Sequence, residues 1–174
     1  MSYKTYEVRI HDDGTKKWYL NGKHHREDGP AIEYSNGNKI WYLNGKLHRE
    51  DGPAAEYSNG TKCWYLNGKY HREDGPAVED SDGDKYWYLN GECHREDGPA
   101  IERSNGSKFW YLNNKFHRED GPAVEWADGT KEWYLNGKKL TEKEFSKKMK
   151  PSKSNCAGKV VTIDGKKYRL EEME

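Results

Sequence analysis

Residues 30–52 read PAIEYSNGNKIWYLNGKLHREDG, and this block of 23 residues returns along most of the chain. Trp18, Trp41, Trp64, Trp87, Trp110 and Trp133 fall at that constant spacing, each inside Trp-Tyr-Leu-Asn, and His-Arg-Glu-Asp-Gly-Pro-Ala occurs at 25–31, 48–54, 71–77, 94–100 and 117–123. Self-similarity at a period in the twenties marks a stacked repeat architecture, in which a unit cannot bury its apolar face without its neighbours. Such an array offers an extended surface, whereas most catalytic sites need unlike groups converging at one unique place.

Within the block, Ala31–Tyr34 and Lys39–Leu43 are short, β-branched or aromatic stretches on either side of Ser35-Asn36-Gly37-Asn38. That is a hairpin signal, because Asn-Gly readily takes the positive φ angles of tight turns. The equivalent turns carry Asp13-Gly14, Asn59-Gly60, Asp82-Gly83, Asn105-Gly106 and Asp128-Gly129. A second reversal follows at Asn44-Gly45, and the chain returns through Lys46-Leu47-His48 to Glu50-Asp51-Gly52-Pro53. Proline lacks a donor N–H and suits the start of a strand. Alternation then places Trp41 and Leu43 on one face, Ile40 and Tyr42 on the other. The column before Trp (Lys17, Ile40, Cys63, Tyr86, Phe109, Glu132) is apolar in the middle and charged at both ends, which predicts that inner copies bury it and outer ones expose it. The column after Ala (Ile32, Ala55, Val78, Ile101, Val124) is a packing position. The column Tyr34, Tyr57, Asp80, Arg103, Trp126 accepts charge and is expected to reach solvent.

Of the 174 residues, 34% are charged and only 32% hydrophobic, a balance that alone would raise disorder. Seven Trp and thirteen Tyr recurring in phase answer it, since large rings then supply the burial. Thirty basic and thirty acidic side chains cancel, which leaves no global field to attract a polyanion. No apolar run is long enough to span a bilayer, and Met1–Ile10 is too polar for a signal peptide. Three cysteines at unrelated phases build no disulfide framework, and a cytoplasmic chain is the expectation.

The series Tyr42, Asn44, Gly45, Lys46, His48 and the series Tyr34, Asn36, Gly37 match, in order and spacing, the W-x-N-G-K-x-H-G core and later Y-x-D-G turn of MORN repeats. Residues 3–137 thus resemble that family of β-hairpin repeats of about 23 residues, with Arg49-Glu50-Asp51-Gly52-Pro53 in place of the family's glycines after His. The chain is more similar still to bacteriophage and large-virus repeat proteins that carry the H-R-E-D-G-P-A phrase and close with L-T-E-x-E-F. That resemblance implies a viral accessory protein in the host cytoplasm and brings no known activity.

The expected architecture is all-β: an elongated antiparallel meander of hairpin units over residues 1–137, with Tyr3–Ile10 supplying the first strand. A capping helix follows at 138–150, a linker at 151–158 and a terminal hairpin at 159–174. Thr141 with Glu144 forms a capping box, and Leu140 with Phe145 the matching hydrophobic staple.

Stacking should align His25, His48, His71, His94 and His117 in one file and Arg26, Arg49, Arg72, Arg95 and Arg118 in another. As a recognition strip, the arginines would offer planar forks to phosphate or carboxylate. As structure, Arg and acids of adjacent copies neutralise one another and Asp-Gly-Pro makes a turn. The variable column with Tyr34, Tyr57, Arg103 and Trp126 is the second candidate surface. A metal is not expected, since each of these His has an adjacent Arg. Neither is catalysis, as the serines at 35, 58, 81 and 104 belong to turns and Glu50-Asp51 pairs recur. The reading is a non-catalytic binding or scaffold module without a cofactor, engaging a host protein. The alternatives are sequestration of a charged small molecule or signalling nucleotide, and nucleic-acid binding through Lys138, Lys139, Lys143, Lys147, Lys148, Lys150 and Lys153. A sheet edge or the C-terminal hairpin offers a route to oligomerisation.

Overall fold

A computed structural model describes residues 5–149, 160–163 and 166–169. Strand β1 (Tyr6–Ile10) pairs antiparallel with β2 (Lys16–Leu20), and from there a fourteen-stranded antiparallel sheet runs in chain order to Lys138–Leu140. The 23-residue meander inferred from the repeat is the observed fold.

In the copy around Trp41 the expected strand Lys39–Leu43 divides into Lys39–Ile40 and Tyr42–Leu43, because its neighbours change at the tryptophan. The first piece lies between Ile32–Glu33 of its own unit and Ala55–Glu56 of the next. The second pairs with Lys46–Leu47. At the handover, Trp41 N–H donates to Ala54 O at 2.8 Å and Trp41 O accepts from His48 N–H at 3.2 Å. The hairpin tip is tied onward as well: Gly68 N–H donates to Leu47 O at 2.7 Å, and Arg49 N–H to Tyr65 O at 3.1 Å.

The two turns of the unit use different chemistry. Asn44 and Gly45 both have positive φ (52° and 81°), the signature of a two-residue type I′ hairpin whose twist matches that of the strands. In the other turn only Gly37 is left-handed (φ 90°); its N–H closes a turn onto Tyr34 O at 3.0 Å, while Asn36 Oδ1 accepts from Asn38 N–H at 3.1 Å. These turns are laced to one another. Ser58 N–H donates to Asn38 Oδ1 at 2.8 Å, and Thr15, Thr61, Asp84 and Ser107 accept in the same way from Ser35, Ser81, Ser104 and Ala127.

Burial divides between the two faces. Ala31, Ala54, Ala77, Ala100 and Ala123 are completely buried, and Ile32, Ile40, Ala55 and Cys63 form a core with Tyr42, Leu47, Tyr65, Tyr70 and Val78 packed on it. Between the tyrosines that follow each tryptophan, His24, Leu47, Tyr70, Cys93 and Phe116 are interleaved by the hairpin register. Rings stack at 4.2 Å for Tyr65 and Tyr70, 5.2 Å for Tyr70 and Tyr88, and 4.2 Å for Tyr111 and Phe116. A cation closes each end of the column: the Arg9 guanidinium lies 4.5 Å from the Tyr19 ring and Lys139 Nζ 5.7 Å from the Tyr134 ring.

The charged ends of the column before Trp are half-buried rather than exposed. Glu132 is held there by Tyr134 Oη (2.7 Å) and Lys139 Nζ (2.8 Å), both donating to its Oε2. The C-terminal lid is the helix α1 (Glu142–Met149), packed on the last hairpin. Thr141 N–H donates to Glu144 Oε2 at 2.8 Å and Glu144 N–H to Thr141 Oγ1 at 3.2 Å, so the capping box is formed; Leu140 and Phe145 are buried as its staple. The proposed linker 151–158 lies outside the described residues, and the terminal hairpin is present as Val160–Ile163 paired with Lys166–Arg169. Among the described residues no helix is long and apolar enough to cross a membrane.

Candidate binding grooves on the tryptophan face

Each His-Arg-Glu-Asp-Gly-Pro loop folds around its arginine. The Arg49 guanidinium lies 4.2 Å from the Trp41 ring centroid; its Nε donates to Asp51 Oδ1 at 2.9 Å, and its Nη1 donates to Pro53 O at 3.3 Å and Glu56 Oε1 at 3.0 Å. Arg26, Arg72, Arg95 and Arg118 repeat this on Trp18, Trp64, Trp87 and Trp110 at 3.9–4.2 Å. Asp28, Asp51, Asp74, Asp97 and Asp120 are held below the ordinary aspartate range, chiefly by the hydrogen bond from their arginine. The arginine file predicted from sequence exists, but two of the three nitrogens of each guanidinium are engaged, Nε by the aspartate of its own loop and Nη1 by the proline carbonyl and the glutamate of the following unit.

The histidine file is likewise turned inward. Nδ1 of His48, His71 and His117 accepts the backbone N–H of Asn67, Asn90 and Asn136 at 3.1 Å, and His25 does so for Asn44 at 3.0 Å. His94 contacts Asn113 Oδ1 instead, at 2.8 Å. Each His therefore fastens its unit to the type I′ turn of the following one. In the four histidines whose Nδ1 accepts, the proton is left on Nε2, which lies 3.4–3.7 Å from the exposed glutamate two residues on.

Between successive loops lie equivalent open grooves of about 770–800 Å³. The one between the second and third loops has Trp64 and Leu66 as its floor and the segments Arg49–Pro53 and His71–Asp74 as walls. Two guanidiniums and four carboxylates line it; the guanidiniums are largely covered, whereas Glu50, Asp51, Glu73 and Asp74 are almost fully exposed. The available charge is negative. Among the described residues no three His, Cys, Asp or Glu side chains converge as a metal-binding group.

The variable column reaches solvent at Tyr34, Tyr57, Arg103 and Trp126, while Asp80 is half-buried and accepts a hydrogen bond from Thr61 Oγ1 at 3.1 Å. Arg103 and Trp126 meet at one cleft of about 560 Å³ with Phe109, whose ring Trp126 meets edge-on at 5.0 Å. Arg103 is not a free fork: its Nη1 donates to Asp84 Oδ2 and to Tyr86 Oη, both at 2.6 Å. Of the C-terminal lysines, Lys138, Lys139, Lys143, Lys147 and Lys148 are exposed, with Lys139 paired to Glu132; Lys150 and Lys153 lie outside the described residues. No protein-family model matches the chain, and no curated protein matches it.

Proposed function

We propose that the chain is a non-catalytic repeat scaffold whose tryptophan-face grooves take an extended, positively charged segment of a partner protein. The observation that carries this reading is the charge balance of the grooves: the arginines are spent on their own loops and on the glutamate of the strand that follows, and the outermost groups are paired carboxylates beside a half-buried Trp and Leu floor. Apolar stems ending in a cation, as in Lys or Arg, suit such a surface. The unit advances by two strands, about 9.5 Å. Three residues of polyproline-II backbone cover about the same distance, so a cation at every third position would enter successive grooves in step. On the resemblance to viral repeat proteins, the partner is a host protein. The same charge disfavours a phosphate-bearing small molecule in these grooves.

The test titrates tryptophan fluorescence with a Lys-Pro-Pro repeat peptide and its Glu-Pro-Pro counterpart. Saturable binding of the lysine peptide alone is expected, weakened several-fold in a Glu50→Gln, Glu73→Gln, Glu96→Gln triple variant whose urea midpoint is unchanged. Preference for the glutamate peptide, or for a nucleotide, would sink the proposal.

A further inference from the structure

Strand β1 ends the sheet with apolar side chains in water: Tyr6, Val8 and Ile10 are 58%, 51% and 71% exposed. Among the described residues its pairing partner is β2, on one side only. The opposite end of the array is lidded by α1. An open, hydrophobic edge strand is a template for another strand, and here its own sequence specifies which.

Main-chain direction can be followed residue by residue. Thr5 O accepts from Asn21 N–H at 3.2 Å and His11 N–H donates to Thr15 O at 2.9 Å, so both bracketing residues turn toward β2. Alternation along the strand then turns Glu7 and Arg9 toward β2 as well, and leaves the N–H and C=O groups of Tyr6, Val8 and Ile10 pointing outward. A second strand must present the same parity to hydrogen-bond with them.

A second copy of β1 does so, and one register stands out. Antiparallel pairing centred on Val8 sets Val8 opposite Val8, Tyr6 opposite Ile10 and Glu7 opposite Arg9 of the other copy. All outward main-chain groups are then bonded, and the apolar side chains form one stripe on the tryptophan face. Shifting the register by two in either direction sets Glu7 opposite Glu7 or Arg9 opposite Arg9, which like-charge repulsion disfavours. Within the strand Arg9 Nε already bonds Glu7 Oε1 at 2.6 Å, so the side chains are extended on one face, ready to form a four-membered charge cluster across a two-fold axis.

We propose that β1 is a self-complementary dimerisation edge that joins two arrays antiparallel about Val8. The pairing is isologous and closes at two copies, because each sheet has its other end covered.

Sedimentation equilibrium of the full chain tests this, with far-UV circular dichroism to check the fold of each variant. The parent should show a concentration-dependent monomer–dimer equilibrium. Glu7→Arg alone and Arg9→Glu alone set like charges across the axis, and each should weaken association about tenfold. An equimolar mixture of the two variants pairs opposite charges at every contact and should restore dimers, as heterodimers, to within about threefold of the parent. Val8→Pro removes a donor that faces outward, not toward β2, and should leave a folded monomer. A parent that stays monomeric up to millimolar concentration, single variants that associate like the parent, or a mixture that does not recover would each overturn the proposal.

Discussion

The Arg72 guanidinium is held 4.0 Å from the ring of Trp64 on one side and pressed by Gly75 on the other, where an added Cβ would come within 2.9 Å of Arg72 Cζ. Arg72 Nε donates to Asp74 at 2.9 Å and Nη1 to Pro76 O and Glu79 at 3.2 and 2.8 Å. The recurring phrase thus has a physical reason at five of its letters. Arg supplies the planar cation, Asp an acceptor for Nε, Gly the space, and Pro a carbonyl; His reaches onward to the next turn. Similar slots recur at Gly29, Gly52, Gly98 and Gly121.

Arg72→Ala should therefore destabilise the array by about 2 kcal/mol, from loss of the indole stack and of the charged hydrogen bonds. Arg72→Lys keeps the charge but not the fork, and should lose roughly half as much. Gly75→Ala should cost about 1–2 kcal/mol, since the guanidinium must leave the slot. Urea titrations monitored by tryptophan fluorescence measure all three. An unchanged midpoint in Arg72→Ala would mean that the stack contributes nothing.

What was legible in the sequence was local. The period, the Asn-Gly turns and the Thr141–Glu144 cap are each specified within a few residues, and all three are present. The ties between units were harder to see, because they join atoms 19 or 20 residues apart. Sequence aligns His48 in a file with its counterparts but does not show that its Nδ1 accepts Asn67 N–H. Thr15, Asn38, Thr61, Asp84 and Ser107 look like a variable position, yet all carry a short acceptor for the next turn's N–H; shared atoms, not shared names, were the signal. The stacked tyrosine column escaped for the opposite reason. Its alternate members are His, Leu, Tyr, Cys and Phe, alike only in filling the gap between two rings.

Stability should fall with acid in two stages. His24 sits between Tyr19 and Tyr42 with Nδ1 buried and, among the described residues, unpartnered, and burial lowers its pKa. The unfolded chain therefore takes up this proton first, so a shallow loss begins as pH falls through about 6.5. The loop aspartates and Asp84, the latter held at about 2 by Ser104 N–H and Arg103, are depressed in the folded chain. Their contribution is complete above the unfolded value of about 3.8 and is lost as pH falls through the folded ones, giving a steep second stage. His24→Leu, matching Leu47 in the next copy, should abolish the shallow stage alone. Urea midpoints from pH 8 to 2 decide this, and a loss of stability on raising pH from 4 to 7 would contradict the signs.

Cys63 and Cys93 should be inert in the folded protein. Burial pushes the Cys63 thiol up to about 11 and the Cys93 thiol to about 12, and the thiolate is the nucleophile. Iodoacetamide at pH 8 should leave both unmodified in buffer and alkylate both in concentrated urea, as read by peptide mass spectrometry. Equal labelling rates in the two conditions would show that the core around Ile40 and Tyr88 is open.

The lid at the C-terminal end should act locally. Thr141→Ala removes both hydrogen bonds of the Thr141 hydroxyl, which costs about 1 kcal/mol, and Phe145→Ala removes the buried ring, about 3 kcal/mol. In a quasi-one-dimensional array a unit touches only its neighbours, so that loss should not spread evenly. Hydrogen exchange should accelerate in Lys131–Leu135 and Lys138–Leu140, which α1 covers, and remain unchanged in Lys39–Ile40 and Lys62–Cys63 three to four units away. Uniform acceleration along the whole sheet would instead reveal a single cooperative block, in which the end lid supports every unit equally.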